Sequence, residues 1–210
     1  MSLPAEDHDY FLALQTRTGW GKTLVRFLEW CLPDRPVRVL DVGAGPALAS
    51  ALAAQRGHWV VGVDRDPLML AQSLHPTVAL ADAGALPFGA GAFDLTLASN
   101  LLYLLPDPLP ALREMARVTA PGGYVAVLNP SERMSVAAAR ALADARGLTG
   151  LARETLLNLA ARAEACYRWS PADLGALFAR VGLRLVRTRT AMRPGLLRWA
   201  LAEAVSSGRV

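Results

Sequence analysis

With 210 residues, 53% of them apolar and 7% aromatic, the chain suits one globular α/β domain with a full core and excludes a disordered polymer. No apolar run of about 18 residues escapes a charge and no basic-then-apolar leader opens the chain, so a soluble cytoplasmic protein without a membrane partner is expected. The net charge of +4 divides into −3 over residues 1–130 (9 basic, 12 acidic) and +7 over 131–210 (13 basic, 6 acidic), the latter all arginines scattered among Ala and Leu. Such scatter reads as solvated helix faces and not as a nucleic-acid footprint, although an acidic or phosphorylated small substrate suits the same charge.

Residues 1–9 are polar and expected to be mobile. Over 10–32, Phe11, Leu14, Leu24, Phe27, Leu28 and Cys31 recur at mainly helical spacing with a break at Gly19-Trp20-Gly21, which predicts two short helices. Tyr10, Trp20 and Lys22 are candidate ligand contacts there, against the plainer reading of aromatics as core. The run VRVLDV at 37–42 is rich in β-branched residues and suits a strand buried on both faces, with Asp41 interrupting it. Gly43 and Gly45 then let the backbone turn sharply and approach a ligand closely. From Pro46 onward ALASALAAQRG predicts a helix with the proline in its first turn. Strand, glycine turn and helix N-terminus together make a site for a small polar ligand.

A second strand at 58–63 ends in Asp64, 64 − 43 = 21 residues after Gly43. An acid in that place lies beside the glycine turn and can accept hydrogen bonds from both hydroxyls of a ribose. Asp66, just before Pro67, is the better helix N-cap, which leaves Asp64 for a ligand. Further strands are predicted at 76–81, 93–99, 124–128 and 183–190, and helices at 67–74, 110–119, about 134–146, 151–166 and after Ser170. Pro121-Gly122-Gly123 is expected to turn the chain into the fifth strand. Residues 196–204 have helical propensity, and Arg193-Pro194-Gly195 before them reads as a hairpin break. Cys31 and Cys166 lack metal or redox spacing, so reduced structural thiols and no metal are expected.

Two ligand classes compete for the glycine turn. A dinucleotide site needs a third glycine where Leu48 stands, which weighs against a nicotinamide-dependent oxidoreductase. Asp41-Val42-Gly43-Ala44-Gly45 instead resembles the acidic-x-Gly-x-Gly motif of class I S-adenosylmethionine-dependent methyltransferases. Asp82-Ala83 ahead of Leu86-Pro87-Phe88, Phe93-Asp94, and Leu112-x-Glu114-x-x-Arg117-Val118 ahead of Pro121-Gly122-Gly123 follow in that family's order. Ala47 stands where the family commonly has glycine. Among subgroups the chain is most similar to the small-molecule enzymes of ubiquinone and menaquinone biosynthesis.

The resemblance implies a Rossmann-like, doubly wound, mostly parallel sheet of order 3-2-1-4-5-7-6, with an antiparallel seventh strand at 196–204 and helices on both faces. It implies one domain over 1–210 with helical lid segments at about 1–34 and 131–169. By the same resemblance the cofactor is S-adenosylmethionine and the product S-adenosylhomocysteine, held by Asp41, Gly43, Ala44, Gly45, Asp64 and Arg65. Asp82 would take the adenine amino group, the N–H of Ala83 a ring nitrogen, and Ser99, Asn100 and Tyr103 the methionine part. No Asn-Pro-Pro-Tyr follows the fourth strand, against an enzyme acting on nucleobases. The expected function is in-line methyl transfer to a small-molecule acceptor by a monomer or homodimer; a cofactor-binding protein without transfer is the alternative. Neither His8, His58 nor His75 is placed as a base, and no catalytic residue is assigned. Glu132, Arg133, Arg153, Tyr167, Arg168 and Trp169 are the lid's candidates for touching substrate.

Overall fold

The β-branched runs form the middle of the sheet because both of their faces find cover. Four of five residues in β1 (Arg38–Val42) are buried, as are the last six of β5 (Thr119–Pro130), with β4 (Phe93–Ser99) between them. This computed structural model describes residues 7–205, so the expected mobile start falls largely outside the described residues. The remaining strands are β2 (Trp59–Asp64), β3 (Val78–Leu80), β6 (Leu183–Ala191) and β7 (Leu197–Ala204). Their order is β3-β2-β1-β4-β5-β7-β6, with β7 antiparallel to both neighbours and the other pairings parallel, as the resemblance implies.

Helices α1 (Asp7–Arg17), α2 (Trp20–Cys31), α3 (Leu48–Ala54), α4 (Pro67–Ala71), α5 (Leu109–Val118), α6 (Val136–Ala145), α7 (Gly150–Ala165) and α8 (Pro171–Ala179) surround the sheet. Among the described residues no helix is long and apolar enough to cross a membrane. Ser170 opens α8 in a capping box with Asp173, and Asp66 caps α4 by accepting from the Leu68 N–H at 2.9 Å.

Three local expectations need correction. Pro46 lies outside α3, which begins at Leu48, because Ala47 takes a left-handed conformation (φ 58°, ψ 34°) to swing the chain out of the glycine turn. Helix α4 and strand β3 are shorter than their sequence patterns. Pro121-Gly122-Gly123 is no turn ahead of β5 but a bulge inside it: Phe93 pairs with Thr119 and Leu95 with Tyr124, so Ala120–Gly123 oppose Asp94 alone. The helical propensity of 197–204 yields to pairing with β5 from Pro130↔Leu197 to Tyr124↔Glu203, and only Glu203 escapes burial.

The segment 131–169, expected to form a lid, is tied to the sheet at both ends. Buried Arg198 of β7 donates twice from Nη2 to the Glu132 carboxylate, at 2.8 Å each, and from Nε to the Trp169 carbonyl at 3.2 Å. Arg168 donates to the Met134 carbonyl at 2.7 Å and the Tyr167 hydroxyl to the Pro106 carbonyl at 2.8 Å. His58 accepts from the Val37 N–H through Nδ1 (3.3 Å), and the His75 ring contacts the Val60 carbonyl through Nε2 (3.0 Å). Both are structural ties. Cys31 is buried, which pushes its thiol up to about 12, and Cys166 is an exposed free thiol.

At the bulge, a Cβ on Gly123 would fall 2.6 Å from the Asp94 carbonyl oxygen and 2.8 Å from that of Ala120. Gly123→Ala should therefore destabilise the fold by about 1–3 kcal/mol in chemical denaturation. An unchanged midpoint would contradict this account of the β4–β5 pairing.

Candidate cofactor and acceptor cavity

The glycine turn is built by hydrogen bonds from β1 to β2. The N–H groups of Gly43 and Ala44 both donate to the Val63 carbonyl at 2.9 Å, and the Gly45 N–H donates to Asp64 Oδ2 at 2.8 Å. Gly43 (φ 71°) suits glycine by its left-handed conformation, and a Cβ there would also crowd the Leu101 side chain, at 2.9 Å from Cδ1. Ala47 occupies the left-handed position at a cost of about 1 kcal/mol, which explains why a glycine is favoured there. Asp64 is not left free: its second oxygen accepts from the Asp66 N–H at 3.0 Å. The carboxylate is thereby held against the turn with its remaining acceptor capacity toward the cavity.

Above this turn lies a cavity of about 1610 Å³, over the C-terminal ends of β1–β4 and β6 and roofed by α1, α2 and the α6–α7 lid. Of the predicted site residues, Gly43, Gly45, Asp64, Arg65, Asp82, Ala83, Ser99, Asn100 and Tyr103 line it, together with Tyr10, Trp20 and Lys22. Asp41 and Ala44 lie beneath the turn and not on the wall. Asp41 is 1% exposed and accepts from Ser50 Oγ at 2.7 Å; burial, with the nearby Asp64 charge adding to it, pushes its carboxyl up to about 6.

Asp82 accepts from the Gly84 N–H at 2.7 Å, which aims the loop after β3. Among the described residues the Ala83 N–H donates to no acceptor. Asn100 is left-handed (φ 57°), and its side-chain oxygen is buried without a donor. Burial raises the Tyr103 phenol above its ordinary range, so it keeps its proton. A glycine cradle, two carboxylates at successive strand ends and an unmatched N–H suit the hydroxyls and adenine of a nucleoside.

None of Glu132, Arg133, Arg153, Tyr167, Arg168 and Trp169 reaches the cavity wall; Glu132, Tyr167, Arg168 and Trp169 instead secure the lid's roots, and Arg153 pairs with Asp144 at 2.6 Å. This segment presents Arg146, Leu148 and, from α7, Ala152, Thr155, Leu156, Asn158, Leu159 and Arg162. Their helical stripe was legible, but it gave no sign of which face meets a ligand. Gln15 of α1 was missed altogether. Its Oε1 accepts from the Leu48 N–H at 3.3 Å, so α1 caps the start of α3.

With this geometry in view, comparison with known proteins is specific. Residues 40–127 match the methyltransferase domain family. The chain is 36% identical over 160 residues to a demethylmenaquinone methyltransferase of Mycobacterium marinum, covering 72% of this chain and 69% of that protein. For several other curated methyltransferases the match spans only 37% to 40% of their length. In fold it is similar to a Haloferax volcanii protein solved in complex with the Trm112 methyltransferase activator (18% identity, 96% of each chain, TM-score 0.72). It is also similar to magnesium protoporphyrin IX methyltransferase of Synechocystis with bound S-adenosylmethionine (17% identity, 88% of this chain and 79% of that one, TM-score 0.62). The chain belongs to the class I S-adenosylmethionine-dependent methyltransferases. Its cofactor is S-adenosylmethionine.

The raised pKa of Asp41 has a signed consequence. A folded value near 6, above the ordinary value of 3.8, means that its contribution to stability is full below pH 4 and is lost as pH rises to about 6. Asp41→Asn removes that titration. The variant should gain on the wild type between pH 4 and 6, on the order of 2 kcal/mol, and hold the gain above. A pH-independent difference in denaturation midpoints would contradict it.

Proposed function

We propose that this protein transfers the methyl group of S-adenosylmethionine to a small-molecule acceptor bound beside it, by in-line displacement. The observation that carries the reading is the roofed cavity of about 1610 Å³ above the glycine turn, larger than the roughly 300–1,000 Å³ typical of one small-ligand site. It has room for two molecules side by side. The demethylmenaquinone methyltransferase relative supports a small acceptor.

When bound, the cofactor supplies a methyl group on a sulfonium, with a neutral thioether as leaving group. Asp64 would hold the ribose hydroxyls, with Arg65 at its rim. Asp82 and the Ala83 N–H would hold the adenine, and Gly43 and Gly45 would allow close approach of the backbone. Ser99, Asn100 and Tyr103 would surround the methionine part. Asp41, with Ser50, would act from beneath as a positioning residue for the turn, and Ala44 as part of its frame.

Leu101, Leu156 and Leu159 line the cavity and would exclude water from the space between the two ligands. Orientation in such a space can be worth roughly 7–11 kcal/mol. Tyr103 keeps its proton, and among the described residues no histidine lines the cavity. Positioning therefore carries the chemistry, which suits an acceptor whose attacking atom already has a free lone pair or ionises unaided.

Calorimetric titration tests this reading. S-adenosylmethionine and S-adenosylhomocysteine should bind, NADH should not, and Asp64→Ala should weaken S-adenosylhomocysteine by roughly 1–3 kcal/mol. Binding of NADH alone would overturn the reading. Cofactor binding without methyl loss over a broad acceptor panel would make this a binding protein.

A further inference from the structure

Carboxylates on the cavity wall are confined to one end of the sheet. Asp64 and Asp66 stand at the end of β2 and Asp82 after β3, so among the described residues every carboxylate lining the cavity lies over the β3–β2 end, where Arg65 accompanies them. At the opposite end the wall carries Lys22 and Arg26 of α2, Arg189 of β6, Arg193 of the β6–β7 turn and Arg146 after α6, and no acid. Helix α2 reaches that end because Phe27 and Trp30 pack on Trp199 of β7, with ring centroids 5.8 Å apart in both pairs. Arg146 donates to the Arg193 carbonyl at 3.5 Å, which ties the lid to the same corner.

Among the described residues six arginines form ion pairs with acids, including Arg38 with Asp94, Arg117 with Glu114, Arg184 with Glu203 and Arg198 with Glu132, and all six lie outside this corner. Among the described residues none of Lys22, Arg26, Arg189 and Arg193 donates to a carboxylate. Arg189 lies over the Trp199 ring, 5.5 Å from its centroid, a stacking that leaves the edge of the guanidinium fork available for an anion. Among the described residues the buried indole N–H of Trp199 has no acceptor. Cationic donors without acidic partners, beside a lid face that presents Leu148, Leu156 and Leu159 together with Thr155, Asn158 and Arg162, are the chemistry of an anion site.

We infer that the methyl acceptor is an acid, with an apolar body against Leu148, Leu156 and Leu159 and a carboxylate or phosphate held by Arg26, Arg189 and Arg193. The acceptor's identity as such rests on the methyl-transfer reading; the anion site itself does not.

The test is titration of the protein with inorganic phosphate and, separately, with acetate at constant ionic strength, followed by the backbone amide signals of Trp199 and Gly195. Saturable shifts are expected with at least one anion, and the tighter of the two distinguishes phosphate from carboxylate. The midpoint should rise about tenfold or more in the double variant Arg26→Gln/Arg189→Gln. It should not move in Arg113→Gln, a charge removed from α5 outside the cavity. S-adenosylhomocysteine affinity should be the same in the double variant as in the wild type. No saturable shift, or an equal one in the double variant, would overturn the inference. So would a parallel loss of S-adenosylhomocysteine affinity, since the arginines would then serve the cofactor's own carboxylate. Failure of the wild type to bind S-adenosylhomocysteine would instead remove the methyl-transfer reading and leave the anion curves to decide the site.

Discussion

Three hydrogen bonds from one short turn set the rest of the molecule in place. Gly43 and Ala44 give their N–H groups to the Val63 carbonyl, and Gly45 gives its own to the Asp64 carboxylate. These bonds join the ends of β1 and β2 at a point where the backbone must be left-handed at Gly43, Gly45 and Ala47 within five residues. The conformation is unfavourable at the one alanine and is tolerated because the neighbours on both sides are tied down. Asp41 beneath the turn and Asp64 beside it are carboxylates in each other's field, and burial has already raised the first. A ligand that donates to Asp64 would relieve part of that tension.

The sheet's connectivity then decides how the space above it is used. Parallel strands β1–β4 deliver their C-terminal loops to one edge, which places glycines and acids side by side over β3, β2 and β1. Insertion of antiparallel β7 between β5 and β6 brings Trp199 and the β6–β7 turn to the same edge but at the far end. Its neighbour Arg198 serves a different purpose on the opposite face, holding Glu132 and the Trp169 carbonyl at the two roots of the lid. One strand thus frames the cavity with one residue and anchors its roof with the next.

Much of this was legible in the chain because local and tertiary requirements coincide. The Asp64 position and the Ser170 cap depend on residues whose chemistry has few other uses at such spacing, while the strand order and the Asp82 position followed from the family resemblance. What was missed depends on contacts across the fold. Gln15 caps a helix 33 residues away, and nothing near it in the chain hints at that. The bulge at Gly122-Gly123 reads locally as a turn, and its identity depends on β4 lying alongside. Glu132 and Trp169 resemble binding residues by composition, while buried Arg198 claims them both for structure. The arginines of the second half read as scattered surface charge, and it is the fold that brings Arg146, Arg189 and Arg193 to one corner beside Arg26 of α2.

The division of the cavity is the central claim, and a crystal structure of the S-adenosylhomocysteine complex tests it most directly. The account predicts the nucleoside between Asp64 and Asp82, the sulfur toward Asn100 and Tyr103, and the corner bounded by Arg26, Arg189 and Arg193 left for the acceptor. Density for the nucleoside over β6 and β7, or for the product's carboxylate on Arg189, would contradict it.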